Sequence, residues 1–126
     1  MGQQQLLLII LGVIVVGIAI AVGISQFSAH SNQANKDGVT SSLVNIAANA
    51  YQYRIRPTTM GGGGNSFANY AIPSKMATDN NGTYTVSTAG SATAITLKGV
   101  SAINGSWFAT CDVDSTGTTT LTYSGW

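Results

Sequence analysis

The sequence predicts an α+β protein in which one long N-terminal helix packs on a small antiparallel sheet. Three observations lead to this prediction. The first is an apolar run that has no polar side chain between Leu6 and Ile24, and the second is the absence of proline before Pro57. The third is a change to two-residue alternation in the last part of the chain, which is typical of half-buried strands.

The apolar run at the start of the chain has the length of a membrane-spanning helix. Its 19 residues, Leu6 to Ile24, would span about 28 Å at a rise of about 1.5 Å per residue. This length is close to the hydrocarbon thickness of a bilayer. A core helix of a soluble protein would show a polar face, and this run has none. We therefore expect residues 1–25 to form a helix that lies in lipid or in a filament core.

Three interpretations of this run remain open from the sequence. A cleaved signal peptide requires a basic region before the apolar run and a small-residue cleavage site after it. A signal anchor requires Lys or Arg on its cytoplasmic side. Neither pattern is clear, because the first charged side chain is Lys36, beyond the run. The third interpretation is that a basic leader has already been removed before Met1, which would explain the missing positive charge.

The helix is expected to continue over residues 26–56 as an amphipathic segment, which gives one helix over about residues 3–55. Apolar residues recur there at helical spacing and form a single stripe: Val39, Leu43, Ile46, Ala47 and Ala50. Glycine lowers helix stability by about 1 kcal/mol relative to alanine. We therefore expect the helical structure of the apolar run to be least stable at Gly12, Gly17 and Gly23. The same small residues would permit another helix to pack closely against the run. Gly38 is a further point at which the helix is expected to bend.

The rest of the chain is predicted to contain a loop and a sheet. Residues 57–78 are interpreted as a flexible glycine-rich loop and an irregular segment, because they contain four consecutive glycines and Pro73. Residues 79–126 are predicted to form an antiparallel meander, because Gly-containing turns separate four short alternating stretches. These stretches are GTYTVST, ATAITLKGV, GSWFATCDV and TTTLTYSGW. One face of this sheet would cover the helix stripe, and the other, rich in Thr and Ser, would face water.

This layout resembles that of the type IV pilins and their pseudopilin relatives, and the sequence likeness is strongest over Met1–Phe27. The resemblance implies that a prepilin peptidase removes a basic leader and that Met1 is then methylated. It also implies a precursor in the inner membrane, the pilus assembly machinery as a partner, and an extracellular cell-surface filament of identical subunits. The implied assembly contacts lie at the start of the chain: Gln3, Gln4, Gln5, Leu6, Leu7 and Leu8.

Three features depart from the family pattern. The family usually has Glu at position five, where this chain has Gln5. A glutamine can hydrogen-bond a neighbour's ammonium group, but it lacks the negative charge that strengthens such a bond. The usual C-terminal cysteine pair is replaced by Cys111 alone, which we expect to be a buried apolar side chain, with an intermolecular bridge as the alternative. The proline that usually interrupts the apolar helix is also missing.

Composition argues against several function classes. Charged residues make up 7% of the chain, against roughly 25% in an average soluble domain, and the net charge is +1. We therefore expect no nucleic-acid partner. The sequence has no Ser/His/Asp arrangement, metal cluster or phosphate loop, so an enzyme is not expected. The expected function is that of a major pilin, with a minor pseudopilin of a secretion system or a single-pass membrane-anchored binding domain as alternatives.

Two kinds of short motif in the chain can each be interpreted either as a tight turn or as a functional site. The segment from Asp112 to Gly117 begins like a calcium loop, but Tyr123 stands where the bidentate acid should be. Calcium at Asp112 and Asp114 is thus the alternative to a turn, and no other cofactor is expected. Asn81 and Asn104 each begin an N-glycosylation pattern, and each also begins an Asn-Gly turn signal.

Overall fold

The computed structural model describes residues 2–126 and confirms the α+β fold class. A short 3-10 helix follows the long helix, and four strands complete the chain. The elements are α1 (Gly2–Ile55), the 3-10 helix (Thr58–Met60), β1 (Gly82–Thr88), β2 (Ala94–Ser101), β3 (Phe108–Asp114) and β4 (Thr119–Ser124). Two compact units make up the fold, one ending at Gln33 and one, here called the head, running from Ala34 to Trp126; α1 contributes to both.

The four strands form one antiparallel sheet in the order β1-β2-β3-β4, as the predicted meander requires. The register places Leu97 of β2 opposite Cys111 of β3, and Cys111 opposite Leu121 of β4. Directly opposed residues lie on the same face, so these three side chains share the inner face of the sheet. The alternate residues lie on the outer face, which is largely threonine.

The second half of α1 covers the inner face of the sheet. All five residues of the predicted stripe are buried, and they join one core with inner-face residues of β1, β2 and β3. These strand residues are Tyr84, Ile95, Leu97, Ala109, Cys111 and Val113. Apolar residues that recur every 3.6 positions on the helix therefore pack against apolar residues that alternate along the strands, and together they form a single hydrophobic interface.

Two glycines allow α1 and the sheet to approach closely. A Cβ atom on Gly99 would lie 2.9 Å from the Tyr84 ring and 3.0 Å from Val39 Cγ1. A Cβ atom on Gly38 would lie 2.5 Å from the Asn81 side chain. α1 is continuous through Gly38, where the lack of a side chain provides room for Asn81, and a bend at this residue stays a prediction.

The glycine-rich loop binds back to the C-terminal end of α1. The Gly63 N–H donates to the Tyr53 carbonyl at 2.8 Å, and the Gly64 N–H donates to the Arg56 carbonyl at 3.1 Å. A Cβ atom on Gly62 would collide with the backbone of Arg56. The loop thus satisfies carbonyl groups that every helix end leaves unpaired, and its glycines permit the close backbone approach that this requires.

Candidate functional site

The apolar segment, defined as residues 6–24, is the largest surface feature of the first unit. Every large apolar side chain in it is between 53% and 68% exposed in the single chain. In the part of the chain that the structure describes, α1 is the one helix that is long and apolar enough to cross a membrane, judged by length and composition. The single chain therefore leaves the apolar surface of this segment uncovered.

The three glycines of the apolar segment lie in continuous helix. Nothing lies within 4 Å of the position that a Cβ atom would occupy on Gly12, Gly17 or Gly23. Each one therefore leaves a gap on the helix surface into which another helix can pack closely. Their role as the weakest points of the helix stays a prediction.

The glutamines at positions 3–5 lie in the first turns of α1 and are exposed. No acidic side chain occupies this first turn, so the positive end of the helix dipole has no carboxylate beside it. The predicted methylation site, Met1, lies outside the described residues. Two shallow grooves run along this end of the helix: one is lined by Gln4, Leu7, Leu8 and Leu11, and the other by Gln3, Leu6, Leu7 and Ile10.

The segment from Asp112 to Gly117 comprises the end of β3 and the turn that leads to β4. Asp114 Oδ1 accepts hydrogen bonds from the Thr116 hydroxyl at 2.7 Å, the Thr116 N–H at 3.0 Å and the Thr118 N–H at 2.9 Å. These bonds, chiefly that from the Thr116 hydroxyl, lower the pKa of Asp114 below its usual 3.8. Asp112 Oδ1 accepts from the Thr96 hydroxyl at 2.7 Å. Among residues 2–126 no three His, Cys or Asp side chains come together, and calcium here stays a prediction.

The two Asn-Gly pairs lie in different surroundings. Asn81 is half-buried beside Gly38 of α1, and its N–H donates to Asp79 Oδ1 at 2.8 Å. Asn104 is exposed in the turn between β2 and β3, and its Oδ1 accepts from the Ser106 N–H at 2.9 Å. Both residues thus lie in the turns that the sequence indicates. Glycosylation at either residue stays a prediction.

Cys111 lies on the inner face of β3 and is fully buried. Burial, and to a smaller degree the charge of Asp112, raise the pKa of the Cys111 thiol to about 11. A protonated, buried thiol behaves as a small apolar side chain, which was the expected role of this residue. Its position behind the helix stripe leaves it without access to a second chain.

The sequence did not predict a carboxylate at the junction of α1 and β1. Asp79 accepts hydrogen bonds from the Ser42 hydroxyl at 2.6 Å, the Tyr84 hydroxyl at 2.9 Å, and the N–H groups of Asn81 and Gly82. Partial desolvation raises the pKa of Asp79, but these bonds outweigh it, and the net shift is below 3.8. Burial is the main cause that raises the pKa of Tyr84 to about 12. Asp79 therefore fastens the chain before β1 to the helix.

Comparisons with protein-family models, curated proteins and solved structures give no match to this chain. The long apolar helix and the small antiparallel sheet are compatible with a pilin-like fold or with a membrane-anchored subunit.

Proposed function

We propose that this chain is the structural subunit of a type IV pilus-like helical filament, in which the apolar segments of identical copies form the core. The exposure of the apolar segment supports this proposal. Fully burying a Val, Leu or Ile side chain contributes about 1.5–3 kcal/mol, so covering the segment would contribute up to about 40 kcal/mol, as an upper bound. A single chain in water cannot leave a surface of this kind uncovered.

The proposal assigns two successive partners to the apolar segment. The inner membrane covers it in the precursor, since the segment of about 28 Å matches the hydrocarbon thickness. After extraction by the assembly machinery, the segments of other copies replace the lipid. A contact between two different surfaces of identical subunits propagates as an open helical filament when the rotation between successive subunits does not close a ring, and this is the arrangement that we propose here. The heads, with their low charge and threonine-rich outer face, then form the extracellular surface.

The start of α1 provides the first assembly contacts in this proposal. An amide costs less to bury than an ionised carboxylate, so Gln5 can lie in an apolar filament core without a charged partner. It can still accept a hydrogen bond from the N-terminal amine of a neighbouring copy. Gln3, Gln4 and residues 6–8 would surround that bond, next to a methylated Met1 produced by a prepilin peptidase.

A single-pass membrane anchor for the head is the second candidate, because the apolar segment alone is long enough to span a bilayer. Electron microscopy of material sheared from the surface of producing cells separates the two functions. Long fibres that contain this chain, identified by mass spectrometry, are the expected result. Recovery of the chain solely from membranes would support the anchor, and short periplasmic assemblies would indicate a minor pseudopilin.

A matched pair of variants tests whether the apolar segment carries the assembly. Val16→Asp places a carboxylate in the middle of the segment, and Thr83→Asp places the same group at an exposed position on the outer face of the edge strand β1. We expect Val16→Asp to abolish fibres and Thr83→Asp to retain them. Fibres of normal length from Val16→Asp, or a detergent-free monomer of the full-length chain in buffer, would contradict the proposal.

A further inference from the structure

The chain contains two Asn-Gly pairs with similar following residues, Asn81-Gly82-Thr83 and Asn104-Gly105-Ser106. We propose that Asn104 is a site of spontaneous deamidation in the folded protein and that the fold protects Asn81. This inference concerns the head alone and does not depend on filament assembly. The two pairs serve as each other's control, because they have nearly the same sequence and differ in their surroundings.

The reaction requires only the chain and water. The backbone nitrogen of Gly105 attacks Cγ of the Asn104 side chain, a new N–Cγ bond forms and the Cγ–Nδ2 bond breaks. The side-chain nitrogen leaves as ammonia and takes the proton that the Gly105 amide gives up. Water then adds to either carbonyl of the resulting succinimide ring and opens it to aspartate or isoaspartate. Both products carry one carboxylate where the amide stood.

The turn at Asn104 favours this attack in three ways. The Ser106 N–H donates to Asn104 Oδ1 at 2.9 Å, so it lies at the atom on which negative charge develops. The Gly105 N–H has no acceptor among the described residues, which leaves its proton available for transfer. Nothing lies within 4 Å of the Cβ position of Gly105, so the turn has room to change its backbone angles.

The turn at Asn81 opposes the same attack. The Gly82 N–H donates to Asp79 Oδ1 at 3.0 Å, so the nucleophilic nitrogen holds its proton beside a carboxylate. If the nitrogen lost its proton, its negative charge would be repelled by the neighbouring carboxylate. Gly82 is also the buried first residue of β1 and pairs with Ser101 of β2. The Asn81 side chain packs against Gly38 of α1, which restricts the rotation that the reaction needs.

Deamidation at Asn104 would change the charge of the head and would exclude one other modification. It adds one carboxylate, so the formal net charge at pH 7 falls from +1 to zero. A small domain without net charge associates more readily with its copies. Deamidation also removes the Nδ2 atom to which an N-linked sugar would attach, so deamidation and glycosylation are mutually exclusive at this residue.

Peptide mapping by mass spectrometry tests the proposal on the full-length protein in detergent, incubated in mildly alkaline buffer with and without denaturant. In the folded protein we expect Asn104 to deamidate faster than Asn81 by on the order of tenfold, which corresponds to about 1.4 kcal/mol in activation free energy. In denaturant the two rates should become similar, because the local sequences are nearly the same. Equal rates in the folded protein, or a faster reaction at Asn81, would overturn the proposal.

A variant of the protecting carboxylate provides a second measurement. Asp79→Ala removes the acceptor of the Gly82 N–H and should accelerate deamidation at Asn81 toward its rate in denaturant. The rate at Asn104 should stay unchanged, since no hydrogen bond around it involves Asp79. An unchanged Asn81 rate in a variant with a native near-ultraviolet circular dichroism spectrum would count against the proposed cause of protection.

Discussion

Asn35 is one of two polar side chains that are buried between α1 and the sheet, and its replacement by alanine gives a sharp test of the helix–sheet interface. Its exposure is 7%, and that of its partner Ser101 is 5%. Asn35 Oδ1 accepts from the Ser101 hydroxyl at 2.5 Å, and Asn35 Nδ2 donates to the Asn81 carbonyl at 2.9 Å. Asn35→Ala removes both bonds, and alanine offers neither partner group a replacement.

The expected cost follows from the two lost bonds. Each hydrogen bond contributes about 1 kcal/mol net, and a buried group left without its partner costs about 1–3 kcal/mol more. The Asn81 carbonyl keeps a second donor, the Ala102 N–H at 2.9 Å, so the Ser101 hydroxyl bears most of the penalty. Alanine regains up to about 0.7 kcal/mol of helix propensity. We therefore expect the free energy of unfolding of the head to fall by about 2–4 kcal/mol.

Urea unfolding of the full-length protein in detergent, followed by near-ultraviolet circular dichroism, measures this loss. Asn45→Ala is the matched control, because Asn45 lies exposed on the same helix, and its loss should stay within about 0.5 kcal/mol. A double-mutant cycle with Ser101→Ala should return a coupling of about 1 kcal/mol. If Asn35→Ala and Asn45→Ala cost the same, the buried pair does not hold the helix on the sheet.

Three further predictions concern the head. Gly99→Ala should lower the free energy of unfolding by about 1–3 kcal/mol in the same urea assay, because its Cβ atom would overlap the buried Tyr84 ring. Gly105→Ala is the control and should be neutral, because no atom lies within 4 Å of its Cβ position. The carboxyl of Asp79 stabilises the folded head above its unfolded-state pKa, and this contribution is lost as the pH falls through its lower folded-state pKa. Ser42→Ala should therefore raise the pKa of Asp79 in a carbon-detected NMR titration and move acid unfolding to higher pH; an unchanged pKa would refute the role of this bond. The Cys111 thiol, buried and with its pKa raised to about 11, should resist alkylation at neutral pH in the folded protein and react in denaturant; a reducible dimer would contradict this.

The helix stripe and the strands were predictable from the sequence because their signals are local. Val39 and Leu43 follow the period of one helix face, and α1 ends at Ile55, directly before the region of Pro57. Asn35 is polar and carries no hydrophobic signal, yet it is buried. It stands four residues before Val39 and thus on the same face, but hydrophobicity cannot indicate the burial of a polar residue. That burial depends on Ser101, 66 positions away in the chain.

The glycines show a second limit of sequence reasoning. The sequence correctly indicates that the four consecutive glycines lie outside helix and strand, because this depends on glycine alone. It does not indicate that Gly63 donates to Tyr53 or that Gly99 lies under the Tyr84 ring. These close approaches depend on where distant segments meet. Asp79 is a similar case. Its partner Ser42 lies 37 positions earlier in the chain, on α1, and the sequence around Asp79 does not indicate this contact.

The position of the core implies that stability and assembly are separable properties of this chain. Within residues 2–126, every buried apolar residue belongs to the head, and none belongs to the apolar segment of residues 6–24. Substitutions in the head, such as Asn35→Ala, should therefore change unfolding without changing the surface of the apolar segment. Substitutions in the segment, such as Val16→Asp, should do the reverse. Because the sites share no partners, their effects on unfolding should add, and a large non-additive term would show that the apolar segment supports the head after all.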